Sequence, residues 1–326
     1  MPVLQNMPKS VFSGVYKSGS HVQGIATDGE FMYFSFTTFL LKTDMKGNPV
    51  GSVNGLLGHL GCIAYDSGYI YGSLEYKNDS IGRGILKNLN TAAEFSDAFY
   101  IACFNISKIN KMNMDAERDG VLRVVRLKDV CEDYKENGHR FGCSGIDGIT
   151  CCGYTANERS LFVAYGIYGD TQRDDNDNQI LLRLPIDKVQ KSLSPLCQNT
   201  VKDIAGIIAD EKIFILTGNT TFGIQNLEYD PYLNKMIAAV YRGKKPQFNN
   251  YSMFLIDLEK EHTVTGRERR YGSECAKGLD FEYGATGIIA LGNGYYYFSQ
   301  DGKNERGYFT NVQMYRYDKS LGFINI

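Results

Sequence analysis

The chain has no tryptophan, and only 7 prolines and 4 histidines among its 326 residues. No segment approaches the roughly 20 consecutive apolar residues that a membrane helix needs, so a membrane is not an expected partner. The opening stretch MPVLQNMPKSVFSGVYKSGSH has no apolar run of secretory-signal length. A cytoplasmic setting is therefore expected if Met1 is the native start; a trimmed exported protein would read the same way. Basic charge is also in short supply: 35 Lys and Arg stand against 37 Asp and Glu. That leaves no basic surplus to hold a phosphate backbone, and nucleic acid is not expected as a partner. Cys62, Cys103, Cys131, Cys143, Cys151, Cys152, Cys197 and Cys275 form no CxxC pair, which leaves a zinc knuckle unsupported. In a reducing compartment such thiols act as small buried hydrophobes. A P-loop, an HExxH helix and a GxSxG elbow are missing too; the nearest run, GCSGI, misplaces its second glycine.

Tyrosine (23), phenylalanine (18) and glycine (35) are plentiful instead. That bias suits short antiparallel strands joined by tight turns. The chain also repeats itself. HVQGIATDGEFMYFSF at 21–36 aligns with HLGCIAYDSGYIYGSL at 59–74, matching His21 to His59, Ile25 to Ile63, Asp28 to Asp66 and Tyr33 to Tyr71. Further copies begin at Ser144 (SGIDGITCCGYTANERSLFVAYG), Phe222 (FGIQNLEYDPYLNKMIAAVYRG) and Tyr283 (YGATGIIALGNGYYYFSQDG). Each has a Gly-containing lead-in, a core Ile or Leu, a turn, and an aromatic alternating strand of the half-buried kind.

Third strands follow as FLLKTDMKG, FYIACFNISKIN, QILLRLPIDK, SMFLIDLEK and VQMYRYDKS, and fourth strands as GNPVGSV, GVLRVVRL and KIFILTG. Four-stranded units repeated radially make a β-propeller. The expected fold is all-β: one domain over 1–326, with five four-stranded blades closed by the N-terminal strand SVFSGVYKSG. LGFINI competes for that closing place. Six or seven blades are the alternative, since 204–218 resembles a partial extra copy. Five is preferred because that segment stands only some twenty residues ahead of the Phe222 copy. A long insertion within the second blade, at 77–144, falls where binding loops are often found.

VQGIATDGEFMYFSFTTFLLKTDMKGN resembles the glutaminyl cyclotransferase family of five-bladed propellers. Similar lead-ins are Val22-Gln23-Gly24-Ile25, Ile146-Asp147-Gly148-Ile149 and Ala285-Thr286-Gly287-Ile288. The resemblance implies the blade framework across most of the chain. It implies no activity, because no residue here matches that family's catalytic acid.

Inner strands of a propeller line a channel, so side chains at one repeat position converge. Two before the core residue stand Gln23, Gly61, Asp147, Gln225 and Thr286. Such a ring either binds a cation or polar ligand, or bonds to neighbouring strands and plugs the channel. His21 and His59, four before the core Ile, either cap their turns or act at a shared site. Glu75, Glu228 and Asp147 are candidate acids and bases. Charged turns carrying Glu75, Lys77, Asp79 and Arg83, and Arg242, Lys244 and Lys245, either grip an anionic group or are simply solvated. GDTQRDDNDNQI spaces Asp174, Asn176 and Asn178 like a calcium loop but lacks the glycine and the closing glutamate of an EF-hand.

The expectation is a propeller that binds a polar small molecule or sugar, as a hydrolase or group transferase, with a divalent cation in the channel as an option. His21, His59, Glu75 and Asp147 would be catalytic. Gln23, Gln225, Glu228, Thr286, Arg83 and Arg242 would bind ligand. The alternative is a non-catalytic scaffold that binds a protein or glycan through its loop face.

Overall fold

The computed structural model describes residues 7–17, 20–155, 158–198 and 205–326, with the side chains of 154 and 155 left aside. Five sheets follow one another along the chain. Their innermost strands are Val22–Thr27, His59–Asp66, Cys143–Thr155, Thr221–Asp230 and Ile288–Gly292. Each packs on the next and the fifth packs on the first, closing a ring. The fold is a five-bladed β-propeller.

A hairpin leads from each inner strand to the second strand of its blade: Phe31–Phe36, Tyr69–Tyr76, Glu158–Ile167, Lys235–Tyr241 and Tyr295–Asn304. In the fifth blade the two-residue loop is Asn293-Gly294, both with positive φ (53° and 78°), as a type I′ hairpin turn demands. In the first, Asp28 accepts the backbone N–H groups of Glu30 and Phe31 at 2.9 and 2.7 Å and the Tyr33 hydroxyl at 2.8 Å. The second copy keeps the same letters with different partners. Asp66 pairs with Arg159 of the third blade, and the Tyr71 hydroxyl accepts from Gln190. The repeat therefore specifies strand and turn, while each blade finds its own polar contacts.

Alternation along FMYFSF suggests a strand wet on one face. The structure buries both faces, because every blade is pressed between two others. Tyr33 joins the cluster shared with the second blade. Met32, Phe34 and Phe36 join the one shared with the fifth, beside Tyr297, Val312 and Met314. Five such clusters fill the seams between blades. Burying a side chain of this size is worth roughly 1.5–3 kcal/mol.

Closure uses both chain ends. Ser10–Phe12 pairs with Gly307–Asp318 through Val11 and Val312, and Gly322–Asn325 pairs further along the same edge, Phe323 opposite Tyr317. The two candidates share the edge instead of competing for it. Of the closing segment, residues 18 and 19 lie outside the described residues. The segment 204–218 supplies Glu211–Leu216, the fourth strand of the third blade, and makes no sixth blade (residue 204 lies outside the described residues). That strand's outer edge is covered by Glu268–Tyr271, a strand sent across from the fourth blade.

Among the described residues three short α-helices decorate the ring. Helix α1 (Ser80–Asn88) follows the second strand of the second blade, with Asp79 capping its N-terminus by accepting from the Gly82 N–H at 2.8 Å. Helix α2 (Lys128–Lys135) links the second blade to the third, and α3 (Ile186–Ser192) follows Asn178–Pro185.

Candidate functional site

In four blades the ladder between inner and second strand slips at the lead-in. Pairing jumps from Val22 to Gly24, Leu60 to Ile63, Ile146 to Ile149 and Ile224 to Asn226. The skipped residues are Gln23, Gly61 with Cys62, Asp147 with Gly148, and Gln225. A bulge leaves its extra residue unpaired and re-aims the side chain. Gln23, Asp147 and Gln225 accordingly line one cavity of about 360 Å³ at the end of the channel where the inner strands begin. His21, His59, Glu75 and Lys77 also line it, together with Thr37, Ser144, Phe222 and Tyr241. Helix α1 adds Ile81, Ile85 and Asn88 as a wall.

The glycines explain how the carboxylates fit. A β-carbon at Gly61 would collide with Asp147 Oδ1, and one at Gly145 would collide with Glu75 Oε2. Gly61 is thus the one lead-in position without a polar side chain because Asp147 of the next blade fills its space. Asp147 accepts the Cys62 N–H at 3.2 Å, and Glu75 accepts the Ile146 N–H at 3.1 Å. Both bonds cross from one blade to its neighbour.

Glu75 is the electrostatic centre. Its Oε1 lies 2.6 Å from Lys77 Nζ and 3.6 Å from His59 Nδ1, and Lys77 also donates to the Ser144 carbonyl at 3.0 Å. Burial alone would lower Lys77; Glu75 and Asp79 outweigh it and hold the ammonium above the usual lysine value. Burial pushes the Glu75 carboxyl up, with Lys77 opposing. Asp147 is pushed well above the ordinary carboxylate range by burial and then by the Glu75 charge. His59 is pushed down to about 3 by burial, Lys77 and His21, so it is a neutral imidazole at neutral pH. Among the described residues its buried Nδ1 has no hydrogen-bond partner. His21 is lowered by burial, with Asp301 opposing, and its Nε2 sits 3.1 Å from Gln23 Nε2. Burial and then Asp147 push Tyr241 up to about 12.

Of the sequence candidates, the fold brings together His21, His59, Glu75, Asp147, Gln23 and Gln225. It does not bring the other four to this cavity. Glu228 lies at the far mouth of the channel. Thr286 turns back within its own blade, 2.6 Å from Ser299 Oγ. Arg83 donates to the Asn78 carbonyl at 2.6 Å, and Arg242 pairs with Asp280 at 2.8 Å. His139 packs between Tyr134 and Tyr168 and is not part of the cavity lining.

Sequence reasoning undervalued Lys77, which shares a face with Glu75 by strand alternation. It missed Tyr241, which the antiparallel hairpin returns to the entrance end. It also missed Asn226, whose amide donates to the carbonyls of Gln23 and Ala285 at 2.8 Å each and ties three blades together.

Among the described residues no three His, Cys, Asp or Glu side chains gather to hold a metal ion. In the calcium-like loop the buried Lys245 ammonium donates to Asn176 Oδ1 at 2.8 Å and also contacts Asp177, taking the place a cation would occupy.

The class these features define is a five-bladed propeller with a polar cavity at the entrance of its channel. No family model matches the chain, and no curated protein matches it. Several solved structures are similar in fold. An endo-arabinanase from Bacillus licheniformis matches over 96% of this chain and 99% of its own, at 10% identity and TM-score 0.49. A protein of unknown function from Bacteroides caccae matches over 95% and 83%, at 11% identity and TM-score 0.43. A PQQ-bound aldose sugar dehydrogenase from Streptomyces coelicolor matches over 94% and 99%, at 10% identity and TM-score 0.36.

Proposed function

We propose that the entrance cavity binds a small, uncharged, hydroxyl-rich molecule of the sugar type, and that Asp147 donates a proton to it during bond cleavage or group transfer. The observation that carries this reading is a pair of buried carboxyls with unequal partners. Glu75 is ion-paired to Lys77 at 2.6 Å, while Asp147 is raised by burial beside that charge. Two carboxyls in unequal environments can divide acid and base work between them.

Charge supports the ligand class. Glu75 and Lys77 pair, burial shifts Asp147 toward its neutral form, and burial lowers both histidines. A cavity without net charge gains nothing from an ionic ligand, whereas Gln23, Gln225, Thr37 and His59 offer donors and acceptors to hydroxyls. About 360 Å³ falls in the range of small-molecule sites. Phe222 supports it as well. Its backbone is in the left-handed region (φ 65°) and the residue is 42% exposed at the rim. A bulky residue held in that conformation costs about 1–3 kcal/mol and is characteristic of binding sites. Its apolar face suits the C–H side of a sugar ring.

A second reading, binding without turnover, is favoured by one fact. Asp147 already accepts the Cys62 N–H and Gln225 donates to the Phe222 carbonyl at 3.1 Å, so part of the ring also serves the fold.

Calorimetric titration with a panel of neutral sugars, coupled to a release assay on their aryl glycosides, tests both. Asp147→Asn keeps an acceptor for Cys62 but loses the acid. It is expected to keep binding within a fewfold and to lose turnover by about 10²–10⁴-fold. Binding with no turnover by the wild type would select the second reading. No binding of any neutral sugar at millimolar concentration would reject both.

A further inference from the structure

A second cavity of about 490 Å³ adjoins the first, and the two share Ser20, Thr37, Ile85 and Asn88. It runs outward over the seam between the first and fifth blades, toward the hairpin that joins Tyr295–Asn304 to Gly307–Asp318. Its chemistry differs from that of the entrance cavity. Two ammonium groups, Lys17 and Lys303, face one carboxylate, Glu305, with Asn304 and Thr38 as neutral hydrogen-bonding groups. Lys303 Nζ is steadied 4.8 Å from the centre of the Tyr308 ring. Among the described residues neither Lys17 nor Lys303 is in an ion pair, in contrast to Lys77, which Glu75 neutralises. One half of the groove is therefore electrically cancelled, and the other keeps a surplus of positive charge.

We infer that the ligand is longer than the entrance cavity, and that the part lying over the seam between blades one and five carries an anionic group, the carboxylate of an acidic sugar or a phosphate ester. This rests on the reading that the entrance cavity takes a neutral sugar unit. The shared wall of Ile85 and Asn88 from α1 gives such a ligand an unbroken surface from one half to the other. Lys17 and Lys303 determine specificity for the outer unit and have no part in proton transfer at the inner one.

The test is calorimetric titration of the whole protein with four probes: the neutral monosaccharide that binds best, a neutral disaccharide built on it, that disaccharide with a uronic acid as its outer unit, and its phosphate ester. At least one acidic probe is expected to bind about five- to tenfold tighter than the neutral disaccharide, the scale of one or two partly exposed ion pairs. That advantage shrinks as salt rises, because exposed charges are screened within about 10 Å at 0.1 M. The acidic probe with the larger gain identifies which anion the groove takes. Lys17→Ala/Lys303→Ala is expected to erase the preference and leave the monosaccharide affinity unchanged. Equal affinity for neutral and acidic disaccharides, or a preference that survives in the double variant, would overturn the inference while leaving the entrance site intact. Failure of the monosaccharide itself to bind would overturn both.

Discussion

The channel of this propeller has two mouths built from the same five strands, and they differ in the charged groups they hold. Where the inner strands begin, four of them bulge, and Gln23, Asp147 and Gln225 are turned toward the axis beside His21, His59, Glu75 and Lys77. Where they finish, a smaller cavity of about 180 Å³ is ringed by Ile25, Ile63, Ile288 and Ile289. Its one acid, Glu228, accepts the Ala290 N–H at 2.8 Å and the Thr150 hydroxyl at 3.3 Å. Burial pushes that carboxyl up to about 8, the Ala290 N–H opposing. Each mouth holds an acid whose carboxyl burial pushes up, yet among the described residues it is the entrance end that supplies a counter-cation, Lys77 beside Glu75. The lead-in bulges are what turn Gln23, Asp147 and Gln225 toward the axis at the entrance mouth.

The largest expected effect lies in the ion pair at the polar mouth. Lys77→Met leaves Glu75 buried and unpaired, which is expected to cost about 3–5 kcal/mol in urea denaturation. Adding Glu75→Gln should recover more than half of that loss. A single variant as stable as the parent would mean that Glu75 is not held as a buried charge.

Next come two glycines, one near each mouth. Gly61→Ala drives a methyl into Asp147 Oδ1 and Ser73 Oγ and is expected to cost about 2–3 kcal/mol and to weaken ligand binding. Gly68→Ala meets open space and bears only the strain of φ 85°, roughly 1–2 kcal/mol, with binding unchanged. Equal effects on binding would erase the distinction between the two ends.

Glu228 gives a pH signature. Its folded pKa, about 8, lies above the ordinary 4.5, so between those values the unfolded chain ionises while the folded one holds its proton. The folded state is thus progressively destabilised as pH rises from about 4.5 to 8. Glu228→Gln removes that penalty. It is expected to match the parent at pH 4 and to exceed it by roughly 1–3 kcal/mol at pH 9, less than the full shift because the carboxyl is partly open to solvent. Melting curves across that range decide it; a constant offset would show that Glu228 does not titrate there. The smallest effect is Thr286→Val, which loses the hydroxyl's contacts with the Ser299 Oγ and carbonyl, about 0.5–1.5 kcal/mol, and should leave ligand affinity untouched.

Much of this contrast was legible in the repeats. Five lead-ins with a core aliphatic gave five blades, and the matched His21 and His59 do meet at one cavity. Gln23, Asp147 and Gln225 stand two before the core residue, which places them at the strand's start. Glu228 stands one after Leu227, which places it toward the other mouth, and grouping it with Asp147 ignored that direction. Arg83 and Arg242 were chosen for charge alone, whereas alternation sends Tyr241 inward and Arg242 outward to Asp280. Less visible was what depends on the neighbouring blade. Nothing in HLGCIAYD says that Gly61 is small because Asp147, far along the chain, occupies its space. Lys77 likewise looked like one more surface charge until the ring folded it onto Glu75.

The most direct test compares the two mouths on one ligand. Calorimetric titration of the best-bound neutral sugar should show binding lost in His59→Ala/Asp147→Ala and retained at parental affinity in Glu228→Gln. Binding that survives the first change and fails with the second would place the site at the opposite mouth and contradict the account.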